Sequence, residues 1–259
     1  MELQKEITAL ERREQIMHLI RELGSISVKR LSEQFGVSDM TIRRDLHLLE
    51  TQGIVVVHYG GATLREADPA VQDFLTRQGQ LDQDKICIAR RAAASVKEGD
   101  VIYLDTSTTI CHMLRFLPPV KLTIVTNSLP VMMRTYQNRL IKLYMAPGIY
   151  QEQYGGAVDY STIQYLSGMH YDKAFFGVAS LDAEFGASAS REKESIMKHA
   201  VWVNAEESYL LTDHTKFGRK DLFKYNEVKD FERIFTDAHL DEEAKRAFAQ
   251  HGGMIEICV

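Results

Sequence analysis

Ser38-Asp39-Met40-Thr41-Ile42-Arg43-Arg44-Asp45-Leu46 decides the fold of the N-terminal part of this chain. Ser38 is placed to cap a helix over 39–50, because a serine oxygen accepts from the first free backbone N–H groups. Met40, Ile42, Leu46 and Leu49 are expected to form its inner face. Thr41 and Arg44 stand three residues apart, so they share an outer face, with Arg43 beside them. A helix that is apolar inside and basic at its outer N-terminal end suits the major groove. There a guanidinium fork matches guanine O6 and N7, or a phosphate.

The flanks support that reading. Upstream, Ile16, Leu19, Ile20 and Leu23 make a helical stripe over 12–23 that Gly24 stops. Ser27 can cap a second helix over 28–35, with Val28, Leu31 and Phe35 inward, and Gly36-Val37 turns the chain into the third. Lys29 and Arg30 are candidates for phosphate contacts. Downstream, Gly53 ends the third helix. Ile54 to Tyr59 is a β-branched strand, and Gly60-Gly61 a turn. This is the wing of a winged helix-turn-helix, and it offers His58 and Tyr59 to the DNA backbone or minor groove. Residues 1–65 are thus expected to be a DNA-binding domain, with the helix-turn-helix at about 28–47 and double-stranded operator DNA as its partner. A helical bundle used for protein contacts is the blander alternative, and the basic outer face argues against it.

Charge distribution agrees. Residues 1–65 hold nine Lys/Arg and nine Asp/Glu, leaving 22 basic and 27 acidic residues of the 31 and 36 in the chain. A neutral head on an acidic body fits a protein that touches DNA through one small domain. No apolar run is long enough to span a membrane, and Met1 to Lys5 lacks a signal-peptide profile, so a cytoplasmic location is expected. Cys87, Cys111 and Cys258 are widely spaced and odd in number, which suits buried or half-buried thiols rather than disulfides. The histidines show no HxxxH or Cys/His spacing, so neither a structural zinc site nor a cofactor is expected.

Residues 66–80 are polar and read as a linker with some helix over 70–77. From residue 81 to 259 helices and β-rich runs alternate, which implies an α/β domain built on a largely parallel sheet. Polar loops follow three of its strands. Asp105-Thr106-Ser107-Thr108-Thr109 opens a helix, whose free N–H groups and dipole suit an anion, although capping alone explains it equally well. It is not a Walker A loop. Thr126-Asn127-Ser128 and Asp213-His214-Thr215-Lys216 are the others. In open α/β sheets such strand ends gather ligands. Lys216 would neutralise a phosphate and Asp213 would accept from sugar hydroxyls.

The run from Leu31 through Thr-Ile-Arg-Arg-Asp-Leu, with Leu49-Glu-Thr-Gln-Gly and His58-Tyr-Gly-Gly-Ala, resembles the head of the DeoR family of bacterial sugar-catabolism regulators. The second domain resembles that family too. The resemblance implies a Rossmann-like fold similar to ribose-5-phosphate isomerase and CoA-transferase domains. It also implies an effector pocket lined by Asp105 to Thr109, Thr126 to Ser128, Asp172 to Gly177 and Asp213 to Gly218. Lys198 and Lys85 match family lysines, and Gly148 lies in a loop where the family has Gly-Gly. Ser107 and Ser180 stand where glycines are usual, adding side-chain bulk.

The expected function is a transcriptional regulator, a repressor of a carbohydrate operon, controlled by a phosphorylated sugar and working as a homodimer or homotetramer. The alternative is a sugar-phosphate isomerase fused to a DNA-binding head. Asp182 and Glu194 are its only sensible general bases.

Overall fold

The protein was studied as a computed structural model, which describes residues 9–51, 55–64 and 82–259. Expectations for Met1 to Lys5, for Gly53 and Ile54, and for the linker over 66–80 lie outside these residues. The chain divides into two compact units, Met1–Pro69 and Ala70–Val259.

The first unit contains α1 (Ala9–Leu23), β1 (Ser25–Ser27), α2 (Val28–Phe35), α3 (Asp39–Thr51), β2 (Val55–His58) and β3 (Gly61–Leu64). The side chain of Ser27 accepts from the Arg30 N–H and so caps α2, and Gly36 closes that helix at φ 62°. A left-handed residue there costs glycine nothing. Ile16, Ile20, Leu31, Ile42, Leu46 and Val55 are fully buried in one core. Strand β1 is not visible in the hydrophobic pattern. It pairs antiparallel with β3, giving a sheet of order β1-β3-β2. That pairing assigns the two glycines differently from the expected turn: Gly61 is in β3, where a Cβ would lie 2.2 Å from the Ile26 carbonyl oxygen. Only a residue without a side chain fits there.

The second unit opens with α4 (Asp82–Ala93), β4 (Val101–Leu104), α5 (Thr108–Met113), β5 (Leu122–Thr126), α6 (Leu129–Thr135) and β6 (Ile141–Met145). A hairpin of β7 (Tyr150–Gln151) and β8 (Gly156–Ala157), α7 (Tyr160–Ser167) and β9 (Tyr171–Gly177) follow. Next come β10 (Ser180–Asp182), β11 (Gly186–Ala189), α8 (Glu192–Val203) and β12 (Ala205–Leu211). The chain continues through β13 (Phe223–Asn226), β14 (Arg233–Asp237), α9 (Glu242–Gln250) and β15 (Ile255–Cys258). Seven strands form one sheet in the order β15-β14-β12-β9-β4-β5-β6, every pair parallel.

Alternate residues of each strand enter cores on opposite faces. Ile102, Leu104, Phe175 and Leu211 pack with Ile88 and Ile110 on one side. Tyr103, Phe176 and Leu210 pack with Met197 and Val201 on the other. This two-sided burial explains why the strands read as continuous apolar runs. A second, antiparallel sheet, β10-β11-β13, lies outside the expected alternation. Cys111 and Cys258 are buried and Cys87 half-buried. Burial pushes the Cys111 thiol up to about 11 and the Cys258 thiol up to about 12.

Candidate functional site

In the first unit, the Ser38 hydroxyl lies 3.0 Å from the Thr41 hydroxyl and accepts from the Thr41 N–H, so the start of α3 is capped as expected. Ile42, Asp45, Leu46 and Leu49 face inward. Met40 does not: it is 68% exposed. The inward residues repeat at i, i+3, i+4 and i+7, and Met40 stands two positions before the first, roughly 200° round the helix. It therefore joins the outer face with Arg44, one turn along. Asp45, unremarked in the periodicity, is buried and takes a 2.7 Å ion pair from Arg12 of α1.

Arg43 turns toward the wing, both its terminal nitrogens 3.4 Å from the Tyr59 carbonyl oxygen. Tyr59 itself, at the tip, is 98% exposed. His58 bonds Thr63 across the hairpin at 2.8 Å, and Lys29, Arg30 and Arg44 are exposed. Of the two adjacent arginines, one is thus anchored to the wing and the other is displayed.

In the second unit, β4, β9 and β12 are neighbours, so the loops after Leu104, Gly177 and Leu211 emerge along one end of the sheet, with that after β5 beside them. The Asp105 carboxylate accepts from the Gly177 N–H at 3.1 Å and pairs with Lys198 of α8, also at 3.1 Å. Lys198 further donates to the Gly177 carbonyl at 2.7 Å and pairs with Glu194 at 3.2 Å. Burial works against the ammonium, but Asp105 and Glu194 outweigh it and hold Lys198 protonated, its pKa above the lysine norm. An ammonium has three donors, and Lys198 directs them at three acceptors.

A Cβ on Gly177 would lie 2.4 Å from that of Ser107, so Ser107 sits directly against it. Ser107 is the N-cap residue of α5 yet makes no side-chain cap bond, and Thr108 and Thr109 are buried in the first turn. Asn127 is fully buried, accepting from the Tyr103 hydroxyl at 2.9 Å and donating to the Ala157 carbonyl at 2.7 Å. Asp213 is buried too, and caps its own turn by accepting from the Thr215 N–H at 3.0 Å and from the Thr215 hydroxyl. Lys216 is half-buried on that turn, and Lys85 is buried on α4. Gly148, at φ 145°, packs against Thr162 and Asp159, where no Cβ fits.

Two features escaped the sequence reading. The β7–β8 hairpin closes over the 126–128 loop, with Gly156 so near the Asn127 carbonyl that a Cβ would lie 2.2 Å from it. Gly155-Gly156 was its signal. Tyr225 sits with its ring 5.6 Å below the Lys198 ammonium. Its buried hydroxyl has no hydrogen-bond partner among the described residues.

Comparison with known proteins places both units. Residues 12–67 match the DeoR-like helix-turn-helix domain, and residues 81–238 match the DeoR C terminal sensor domain. The chain belongs to the DeoR family. It is 30% identical to the lactose phosphotransferase system repressor of Lactococcus lactis, over 93% of this chain and 95% of that protein. It is 28% identical to the glycerol-3-phosphate regulon repressor of Escherichia coli (96% and 98%) and 31% identical to the L-fucose operon activator of the same species (87% and 94%). Among solved structures, ribose 5-phosphate isomerase A of Methanocaldococcus jannaschii aligns with a TM-score of 0.39 and 21% identity, covering 54% of this chain and 56% of that one. Like its DeoR-family relatives, this chain is a DNA-binding transcriptional regulator.

Proposed function

We propose that the protein is a repressor of a carbohydrate-catabolism operon whose operator affinity responds to a phosphorylated sugar. Residues 1–65 form the reading head, 66–80 the connection and 81–259 the sensor. The observation that carries this reading is the displayed Arg44, flanked by Met40 and Thr41 at the open end of α3. Arg44 and Thr41 read base edges, and Met40 offers apolar contact to a thymine methyl. Lys29, Ser38 and His58 hold phosphates, while Arg43 braces the wing beside them. Two heads of a homodimer or homotetramer meet the half-sites of a palindromic operator in the cytoplasm.

In the sensor, the phosphate lies at the N–H groups of Thr108 and Thr109 and the Ser107 hydroxyl, with Lys85 and Lys216 supplying charge. Asp105, Asn127 and Asp213 face the sugar, and Gly148 and Gly177 let the loops around it close on Thr162 and Ser107. Lys198 acts by positioning Asp105 and Gly177, since its donors are already engaged. The effector shifts the heads only through a difference in its affinity for their two arrangements.

Enzymatic turnover is not part of this reading. The Asp182 Oδ1 accepts from the backbone N–H groups of Glu184 and Phe185 at 3.1 and 2.8 Å and pairs with Lys220. Burial opposes ionisation there, but those bonds outweigh it and hold the carboxyl below its usual range, the wrong direction for a general base near neutrality. Glu194 is tied to Lys198. A gel-shift titration of operator DNA with pentose and hexose phosphates tests the regulator. One of them should change the affinity, and a flat response to all would refute sugar-phosphate control. Isomerase assays on the same compounds should show no product, and light scattering reads the oligomer.

A further inference from the structure

Four side chains with metal-binding chemistry converge where β12 and β14 end. Asp237 closes β14, His239 follows it, His214 opens the turn after β12, and Asp84 lies in the first turn of α4. Asp237 is buried. Its Oδ1 accepts from the His214 ring Nδ1 and from the His239 backbone N–H, each at 2.9 Å, and its Oδ2 accepts from the His214 backbone N–H at 2.8 Å. These bonds fix the carboxylate in place. Asp84, Asp237 and His239 each bring a ligand atom to within 4.8 Å of the others. The His239 Nε2 is 3.7 Å from the Asp84 Oδ1. That is too long for a hydrogen bond. It is close to the edge of a ligand tetrahedron around zinc, about 3.3 Å for metal–ligand bonds near 2.0 Å.

We propose that Asp84, Asp237 and His239 form a binding site for a divalent first-row transition metal, with His214 orienting Asp237 from outside the ligand set. Two carboxylates balance the charge of the ion. The imidazole selects against magnesium and calcium, which demand oxygen ligands. A fourth position is left to water. Holding a ligating carboxylate by a neighbouring ring N–H is how metal sites orient their ligands. Asp237 and His239 stand two residues apart, but Asp84 comes from the other end of the domain, so the full set is not marked by a short spacing. A second cluster, His170, Asp172 and Glu206, is poorer. Both its His170 and its Glu206 lie on the surface, whereas in the first cluster only His239 does and Asp237 is buried. Because His214 stands between Asp213 and Lys216, an ion would brace the turn carrying two of the proposed effector contacts. That consequence rests on the sensor reading; the site itself does not.

The test uses the full chain, stripped with chelator and titrated with Zn2+ by calorimetry and with Co2+ by absorbance. One ion per chain should bind, unaffected by millimolar Mg2+. The cobalt complex should show visible bands of a nitrogen and oxygen set without a thiolate charge-transfer band. Asp84→Asn and His239→Gln should each weaken binding by about tenfold or more, and His214→Asn by roughly 10–100-fold, the scale of outer-shell loss. Glu206→Gln should change nothing. Absence of a saturable site, a thiolate band, or affinity unmoved by Asp84→Asn and His239→Gln overturns the proposal. The cobalt spectrum of the unsubstituted protein decides even where a variant fails to fold. None of these readouts involves a sugar phosphate or an operator, so failure here is separable from failure of the sensor reading.

Discussion

The outer face of α3 and the Asp105–Lys198 cluster are built on opposite principles. On α3, the side chains of Met40 and Arg44 point into solvent and make no hydrogen bond or ion pair among the described residues. In the sensor unit, Asp105, Asn127, Lys198 and Asp213 are buried and bonded to one another or to backbone. A solvated group is available to a partner and contributes little to stability. A buried charged group is structure and site at once, because removing it strands its partner in low dielectric. In the head, binding and stability can therefore be separated by mutation. In the sensor they cannot.

The strongest way to break this contrast is Lys198→Met. It leaves Asp105 and Glu194 without their cation. We expect a loss of about 3–5 kcal/mol, read by urea denaturation as an earlier transition of the sensor unit. A neutral outcome would mean that the cluster does not hold the fold. Next comes Asp45→Asn in the head, which breaks the buried pair with Arg12. Helix α3 is structural on this inner side, so a loss of about 3 kcal/mol is expected in thermal unfolding of the first unit. Arg44→Ala should then cost about 1–3 kcal/mol in operator binding by gel shift, with the unfolding midpoint unchanged. A shifted midpoint would show that the outer face is not independent of the fold.

The smallest effect is at Asp159. Its carboxylate caps α7, accepting from the N–H groups of Ile149, Ser161 and Thr162. Those bonds, the Ile149 one first, hold it well below the usual carboxylate range. A lowered pKa adds stability that is present above the unfolded value and lost as pH falls toward the folded one. Asp159→Asn keeps the cap but removes its charge, and should cost about 0.3–1 kcal/mol at neutral pH. The gap to the unsubstituted protein should close below about pH 4, the ordinary aspartate value. A gap independent of pH would show that the cap does not depend on charge.

Legibility followed the same division. The head was readable down to Ser27, Ser38 and Arg44, because helix period and capping are local rules. Met40 was misread because an apolar residue near a helix start looks like core until the turn angle is counted. Strand β1 was missed because three residues carry no period. In the sensor, the parallel strands were visible as apolar runs, but the β10-β11-β13 sheet and the β7–β8 hairpin were too short to show. Asp105, Lys198 and Gly177 were each named as candidates, yet nothing along the chain says that they bond to one another. Tyr225 carries no motif.

By itself the sequence determined a winged helix-turn-helix head on an α/β domain, since periodicity, caps and glycine stops act between near neighbours, and its resemblance to the DeoR family implied a regulator. Tertiary structure alone decided that Arg43 braces the wing while Arg44 is displayed. It alone decided that Lys198 is saturated, and that Asp84, Asp237 and His239 meet. These are contacts between segments far apart in the chain, made only when the strands pair and their ends are brought together.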